Sequence, residues 1–131
     1  DLSPIVYGSG EQIRSFCYMD DAAQGIYKVL TNSKGINQVF NIGNNYEPIS
    51  IKDLAIAVIK VSGKKLEPKF IEMKNSDRDS SREIYARKPD ISKAQKLLDY
   101  SPETSLVDGI SKVMNSGVIS ETWYEPIKVV Y

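Results

Sequence analysis

The chain has 131 residues, with 17 basic and 17 acidic side chains, 41% hydrophobic and 26% charged content, one cysteine and no histidine. This is the composition of one ordinary soluble domain: no net field draws it to nucleic acid or a membrane surface, a lone thiol forbids an internal disulfide and favours a reducing, cytoplasmic setting, and the commonest acid–base and metal-ligating side chain is missing. No apolar run approaches a membrane span, and no basic-then-apolar leader opens the sequence.

Ile5-Val6-Tyr7 reads as a short strand, and Gly8-Ser9-Gly10 behind it as a turn. A second β-rich run covers Ser15 to Met19. With a period of two, Arg14, Phe16 and Tyr18 share one face and Ser15, Cys17 and Met19 the other. Arg14 thus stands where a glycine-rich turn meets a strand, a place from which a guanidinium can fork a phosphate; an edge charge is the plainer reading. Asp20 or Asp21 can cap a helix whose apolar positions, Ala22, Ala23, Ile26, Tyr27 and Leu30, predict one buried stripe. Polar residues 31–35 end it. Gln38 to Ile42 reads as a short strand, and Gly43-Asn44-Asn45 as a turn.

Ser50 with Asp53 has the spacing of a capping box, ahead of a second amphipathic helix carrying Ile51, Leu54, Ala55, Val58 and Ile59 and stopped by Gly63. Leu66 to Met73, with Pro68 inside it, reads as a strand near an edge, and residues 74–82 as a charged loop. Pro89 and Asp90 start a third helix with Ile91, Ala94, Leu97 and Leu98. Ser105 and Asp108 start a fourth, with Leu106, Ile110, Val113 and Met114 inward and Gly117 at its end. The alternation of strands and helices argues for an α/β unit. Two units are expected: residues 1–117, and a tail, 118–131, to which no role is assigned. Cys17 reads as a small buried hydrophobe, and Asn41 and Asn44 as turn residues or as contacts to a sugar or cofactor.

The run Tyr7-Gly8-Ser9-Gly10-Glu11-Gln12-Ile13-Arg14-Ser15-Phe16, followed by Tyr18-Met19-Asp20-Asp21, resembles a motif of the extended short-chain dehydrogenases, the NAD-dependent nucleotide-sugar epimerases, dehydratases and decarboxylases. A second match is Arg87-Lys88-Pro89-Asp90-Ile91-Ser92-Lys93-Ala94, continued through Leu97, Leu98, Tyr100 and Pro102. Phe40-Asn41-Ile42-Gly43 lies between the two. The wording of the first motif is similar to the UDP-glucuronate decarboxylase-like branch, and the resemblance covers roughly residues 4 to 117. It implies the small C-terminal substrate domain of such an enzyme, about four helices with short strands, without the N-terminal NAD-binding Rossmann unit.

That omission has a basis in the residues. Gly8-Ser9-Gly10 precedes a strand rather than a helix, so it is no dinucleotide fingerprint. The only Tyr-x-x-x-Lys spacing, Tyr124 to Lys128, has Pro126 inside it and follows the matched region, whereas the family's catalytic pair precedes it. No catalytic residue, metal ligand or cofactor contact is expected in this portion, and the portion alone is expected to be inactive.

The resemblance implies a nucleotide-binding role for Arg14, which matches the family arginine on the substrate diphosphate, with Gln12 in the same turn. It implies the same for Arg87, and by looser alignment for Arg78. Each has a structural alternative, and Arg78, amid Asp77, Asp79 and Glu83, has the plainest one in a solvated ion-pair loop. The expected function is to hold a nucleoside diphosphate-sugar, UDP favoured, and orient it toward NAD carried by a missing N-terminal half. The alternative is a non-catalytic interaction or regulatory module that keeps the fold. An apolar face left bare by the missing half is expected to promote self-association into a homo-oligomer.

Overall fold

Four helices and five short strands make up residues 2–72 and 84–117, the residues that the computed structural model describes. In chain order they are β1 (Ile5–Tyr7), β2 (Ile13–Arg14), α1 (Met19–Thr31), a 3-10 turn (Ser33–Gly35), β3 (Ile49–Ser50), α2 (Ile51–Ser62), β4 (Lys69–Ile71), β5 (Ala86–Arg87), α3 (Ser92–Leu98) and α4 (Leu106–Asn115). The α/β reading holds. β1 runs parallel to β4, with Val6 opposite Phe70. β2 lies between β3, antiparallel to it, and β5, parallel to it. Among the described residues no helix is long and apolar enough to cross a membrane.

Local signals placed the helix starts well where they involve serine. Ser50 Oγ accepts the Asp53 N–H at 3.0 Å and donates to Asp53 Oδ2 at 2.7 Å. Ser105 and Asp108 repeat the arrangement at 3.1 and 2.6 Å. Each cap supplies a partner for an N–H that the first helical turn leaves without one, worth about 1 kcal/mol. Gly63, at φ +68°, closes α2 as expected.

Four expectations need correction. The second strand is Ile13–Arg14 rather than 15–19, and Met19 is already the first residue of α1. The start of α1 has no side-chain cap; Tyr18 occupies that position. Asp21 turns inward instead, 6% exposed, and accepts the backbone N–H groups of Glu103 and Thr104 at 3.1 and 3.0 Å. The buried face of α1 is consequently Asp21 and Gly25, with Val29 packed on the core, while Ile26, Tyr27 and Leu30 are 55%, 66% and 79% exposed. Hydrophobic periodicity gave the wrong side because a carboxylate with two donors and a glycine that admits its neighbours decide the packing.

The third correction concerns Gln38 to Ile42, which forms no strand among the described residues. Phe40 and Ile42 pack on the core and Val39 points out, so the alternation is that of a strand without a ladder. Fourth, α3 begins at Ser92 with Ile91 at its cap position; Asp90 accepts the Ser92 N–H at 2.9 Å just ahead of it. The predicted loop 74–82 lies outside the described residues.

The core is Ile91, Ala94, Leu98 and Tyr100, flanked by Val29, Phe40, Ile42 and Leu97. Gly25 is the contact through which α1 joins it. A Cβ there would stand 2.5 Å from Ile42 Cγ2 and 2.9 Å from Tyr100 Cε2. Gly25→Ala is therefore expected to cost about 1–3 kcal/mol through overpacking, read as a lower urea midpoint. Ile26→Ala, on the bare face of the same helix, is expected to change stability by less than about 0.5 kcal/mol.

Candidate functional site

Glycine conformation fixes the entry to the site. Gly8 and Gly10 both have positive φ, +69° and +72°. The Gly8 N–H reaches the Ile71 carbonyl at 2.8 Å, and the Gly10 carbonyl accepts the Lys52 N–H at 2.9 Å. A side chain at Gly10 would meet Val6 Cγ1 at 2.6 Å, so glycine is needed there both for its dihedral and for its bareness. The turn is thereby pinned between β4 and the first turn of α2, and it delivers Gln12 and β2 in one orientation. The Gln12 carbonyl accepts the Ile51 N–H at 3.1 Å, and the Ile13 N–H donates to the Tyr85 carbonyl at 2.7 Å.

The ladder then sets two cations side by side. In the parallel β2–β5 register, Arg14 stands opposite Arg87, and facing residues on adjacent strands project to the same side of a sheet about 4.8 Å apart. Arg14 is half-buried, and its Nη1 donates to the carbonyls of Ile13 and Ile84 at 2.8 and 2.9 Å, and to that of Tyr85 at 3.4 Å. Arg87 is exposed. The Gln12 side-chain oxygen is buried and has no hydrogen-bond partner among the described residues. Three of the four residues singled out in the sequence, Gln12, Arg14 and Arg87, are thus brought together on or beside the three-stranded sheet. The fourth, Arg78, lies outside the described residues, as does the rejected Tyr124–Lys128 pair. Beside the edge a shallow hollow of about 220 Å³ is walled by Glu11, Lys52, Asp53 and Tyr85.

Sequence reasoning missed Tyr85 and β5. Two residues of strand, both exposed, carry no periodicity, and only the Tyr7-to-Arg14 motif with its distant Arg-Lys-Pro-Asp partner hinted that the segments meet. Asn41 and Asn44 are turn residues: the Asn41 amide donates to the Asp90 carbonyl at 3.0 Å, and buried Asn44 accepts the Tyr46 N–H at 2.8 Å.

Cys17 and Tyr100 lie against each other, with Tyr100 in the core. The thiol lies 3.7 Å from the Tyr100 hydroxyl, which donates to the Gly43 carbonyl at 2.9 Å. Burial pushes the thiol above its ordinary range, against the opposing pull of the Tyr100 hydroxyl. Burial also raises the phenol, with the Cys17 hydrogen bond adding to it. Neither group is set up as a nucleophile or base. The Asp90 carboxyl is held low by the Ser92 hydroxyl and N–H, as expected of an exposed turn aspartate.

A family model described as GDP-mannose 4,6 dehydratase matches residues 1–113. The chain is similar to UDP-glucuronate 4-epimerase of Thermodesulfobacterium geofontis, with 31% identity over 84% of this chain and 32% of that protein. It is likewise similar to UDP-glucuronic acid decarboxylase 1 of Arabidopsis thaliana, with 35% identity over 84% of this chain and 23% of that one. Among solved structures, UDP-glucuronic acid 4-epimerase from Bacillus cereus, in complex with UDP-glucuronic acid and NAD, superposes with a TM-score of 0.68 at 38% identity, over 82% of this chain and 32% of that one. The chain therefore spans about a third or less of the length of these relatives.

Because the thiolate is the reactive form, alkylation of Cys17 in the folded chain is expected to titrate with a midpoint above the ordinary thiol value of 9.0, and to fall back to that value in urea. The same shift means that the unfolded chain loses this proton first, so the contribution of Cys17 to stability is present below the ordinary value and is lost as pH rises through the folded one. Urea midpoints across alkaline pH are expected to fall more steeply for the wild type than for Cys17→Ala.

Proposed function

The chain belongs to the NAD-dependent nucleotide-sugar epimerase/dehydratase family of extended short-chain dehydrogenases, and on that premise we propose that it is the part of such an enzyme that grips the nucleoside diphosphate of the sugar substrate. The observation that carries this reading is the pairing of Arg14 with Arg87 across β2 and β5. A diphosphate offers the charge and the paired oxygens that two neighbouring guanidiniums fork. Arg14, tied to three backbone carbonyls, has a fixed direction. Arg87, exposed, is free to close on the ligand. Gln12, next to β2, adds an amide beside them. Arg78 is proposed as a further contact from its place in the sequence alone.

The residues described do not fit NAD. Their one glycine-paired turn, at 8–10, opens a strand rather than a helix and is packed against Val6 and Lys52, where a pyrophosphate would need open N–H groups. The redox step accordingly belongs to a remainder of the enzyme that this chain does not contain. The part played here is to spend remote binding energy on orientation: holding the nucleotide fixes where the sugar projects, without joining the chemistry. UDP is the favoured nucleotide because the relatives at 31% and 35% identity are UDP-glucuronate enzymes by name. The bare side of α1, with Ile26, Tyr27 and Leu30, is a surface against which that remainder would pack.

The same bare side favours a second reading, a non-catalytic module that docks a partner or a second copy there. A thermal-shift titration separates the two. UDP, or another nucleoside diphosphate, is expected to raise the melting temperature by about ten degrees at about a hundredfold excess over Kd. NAD is expected to have no effect, and Arg14→Ala to abolish the rise. A sharp transition that no nucleotide moves would sink the proposal in favour of the docking module, and conversion of a nucleotide sugar by this chain with NAD would overturn the division of labour.

A further inference from the structure

Among the described residues three buried side-chain oxygens have no hydrogen-bond partner, those of Gln12, Ser15 and Asn45. A buried acceptor left without a donor destabilises the fold that holds it, and native chains keep few of them. Two of the three stand away from the arginines. Ser15 alternates with Arg14 and so projects to the opposite face of the strand, and Asn45 lies in the segment ahead of β3. Gln12 is different. It precedes Arg14 by two residues, about 7 Å along the extended chain and on the same face, and Arg14 stands opposite Arg87.

One feature of the Gln12 amide does not match a diphosphate. The oxygens of an ionised phosphate only accept hydrogen bonds, which suits guanidiniums, whose polar groups are all donors. The amide nitrogen of Gln12 can serve a phosphate in the same way, but its oxygen is itself an acceptor and gains nothing there. The rest of a nucleoside diphosphate-sugar does carry donors: hydroxyls on the ribose and the sugar, and the imide N–H of a uracil.

We infer that the Gln12 side-chain oxygen reads a hydrogen-bond donor of the nucleotide sugar, which makes Gln12 a specificity residue retained although it weakens the free fold. This role presupposes that Arg14 and Arg87 hold the diphosphate. In the free chain the oxygen is shielded and makes no bond, so turning it toward a ligand breaks none and relieves the shortfall. The backbone does not have to follow. The main-chain carbonyl of Gln12 is held by the Ile51 N–H at 3.1 Å, and Ile13 pairs with Ser50 on one side and Ala86 on the other. Movement is thus confined to the torsions of one side chain. Selectivity follows from the same asymmetry, because a ligand without the donor leaves the acceptor unpaired in the complex.

Gln12→Met keeps the length of the side chain and removes the acceptor, and its two expected effects have opposite signs. The melting temperature of the free chain rises by several degrees, while the affinity for UDP-glucuronic acid in a calorimetric titration falls about tenfold. A residue that only filled space would leave the affinity untouched. Three ligands locate the donor. Equal losses for UDP and UDP-glucuronic acid assign it to the nucleoside, and a loss confined to UDP-glucuronic acid assigns it to the sugar. CDP, whose base has no imide N–H, separates base from ribose: a loss as large as that for UDP assigns a ribose hydroxyl. A melting temperature that fails to rise in both Gln12→Met and Gln12→Leu would overturn the inference, since the oxygen would then have a partner in the free fold, an enclosed water included. Wild-type affinity of the Gln12→Met chain for all three ligands would overturn it as well, with the nucleotide-binding reading left standing. If the unaltered chain binds none of the three, that reading fails first and the role of Gln12 falls with it.

Discussion

One buried phenol holds the described parts of this chain in register. Tyr100, almost wholly removed from solvent, sends its hydroxyl to the Gly43 carbonyl, sits against the Cys17 thiol, and lays its ring beside Gly25. Four segments far apart in sequence, the 16–18 run, α1, the Gly43 turn and the end of α3, are fixed by that single side chain. Net of exchange with water, a hydrogen bond is worth only about 1 kcal/mol, but leaving the Gly43 carbonyl without a donor would cost more than making the bond gains. Since burial raises the phenol's pKa, the hydroxyl keeps its proton and remains a donor into the alkaline range, where a free phenol would ionise.

Asp21 does the complementary work with opposite chemistry. Its carboxylate receives two successive N–H groups from the chain between α3 and α4, a small anion nest that carries no apolar signature at all. Lys28 adds a bond from α1 to the Asp99 carbonyl at the end of α3. Polar bonds of this kind aim α1, and they do so against its hydrophobic pattern, leaving that pattern facing outward.

What could be read from the sequence divides along the same line. Ser50 with Asp53 and Ser105 with Asp108 were legible because a cap is decided within four residues. Ile5–Tyr7 was legible because three β-formers stand between turn signals. The inward turn of Asp21 was not, because its partners are about eighty residues away along the chain. Nor was β5, whose two residues become a strand only because Ile13 and Arg14 are there to pair with them. The site followed suit. Arg14, Gln12 and Arg87 could be named individually from motifs, but that Arg14 and Arg87 stand opposite each other is a fact of strand register, which no local pattern encodes. The 38–42 run misled for the converse reason: its alternation is genuine, and no neighbouring strand among the described residues uses it.

The strands are two or three residues long, too short to stand as independent sheets, and their pairings interleave the chain in a particular way. β4, before residue 73, closes on β1, whereas β5, after residue 83, closes on β2, and Tyr100 and the Asp21 nest likewise join late segments to early ones. Residues 2–72 therefore grip residues 84–117 through a ladder, a buried phenol and a carboxylate nest, none of which is made of the peptide bonds between. The protein is in this sense a pair of non-covalent complements: two separately synthesised pieces divided there would have the means to find each other and reconstitute the fold.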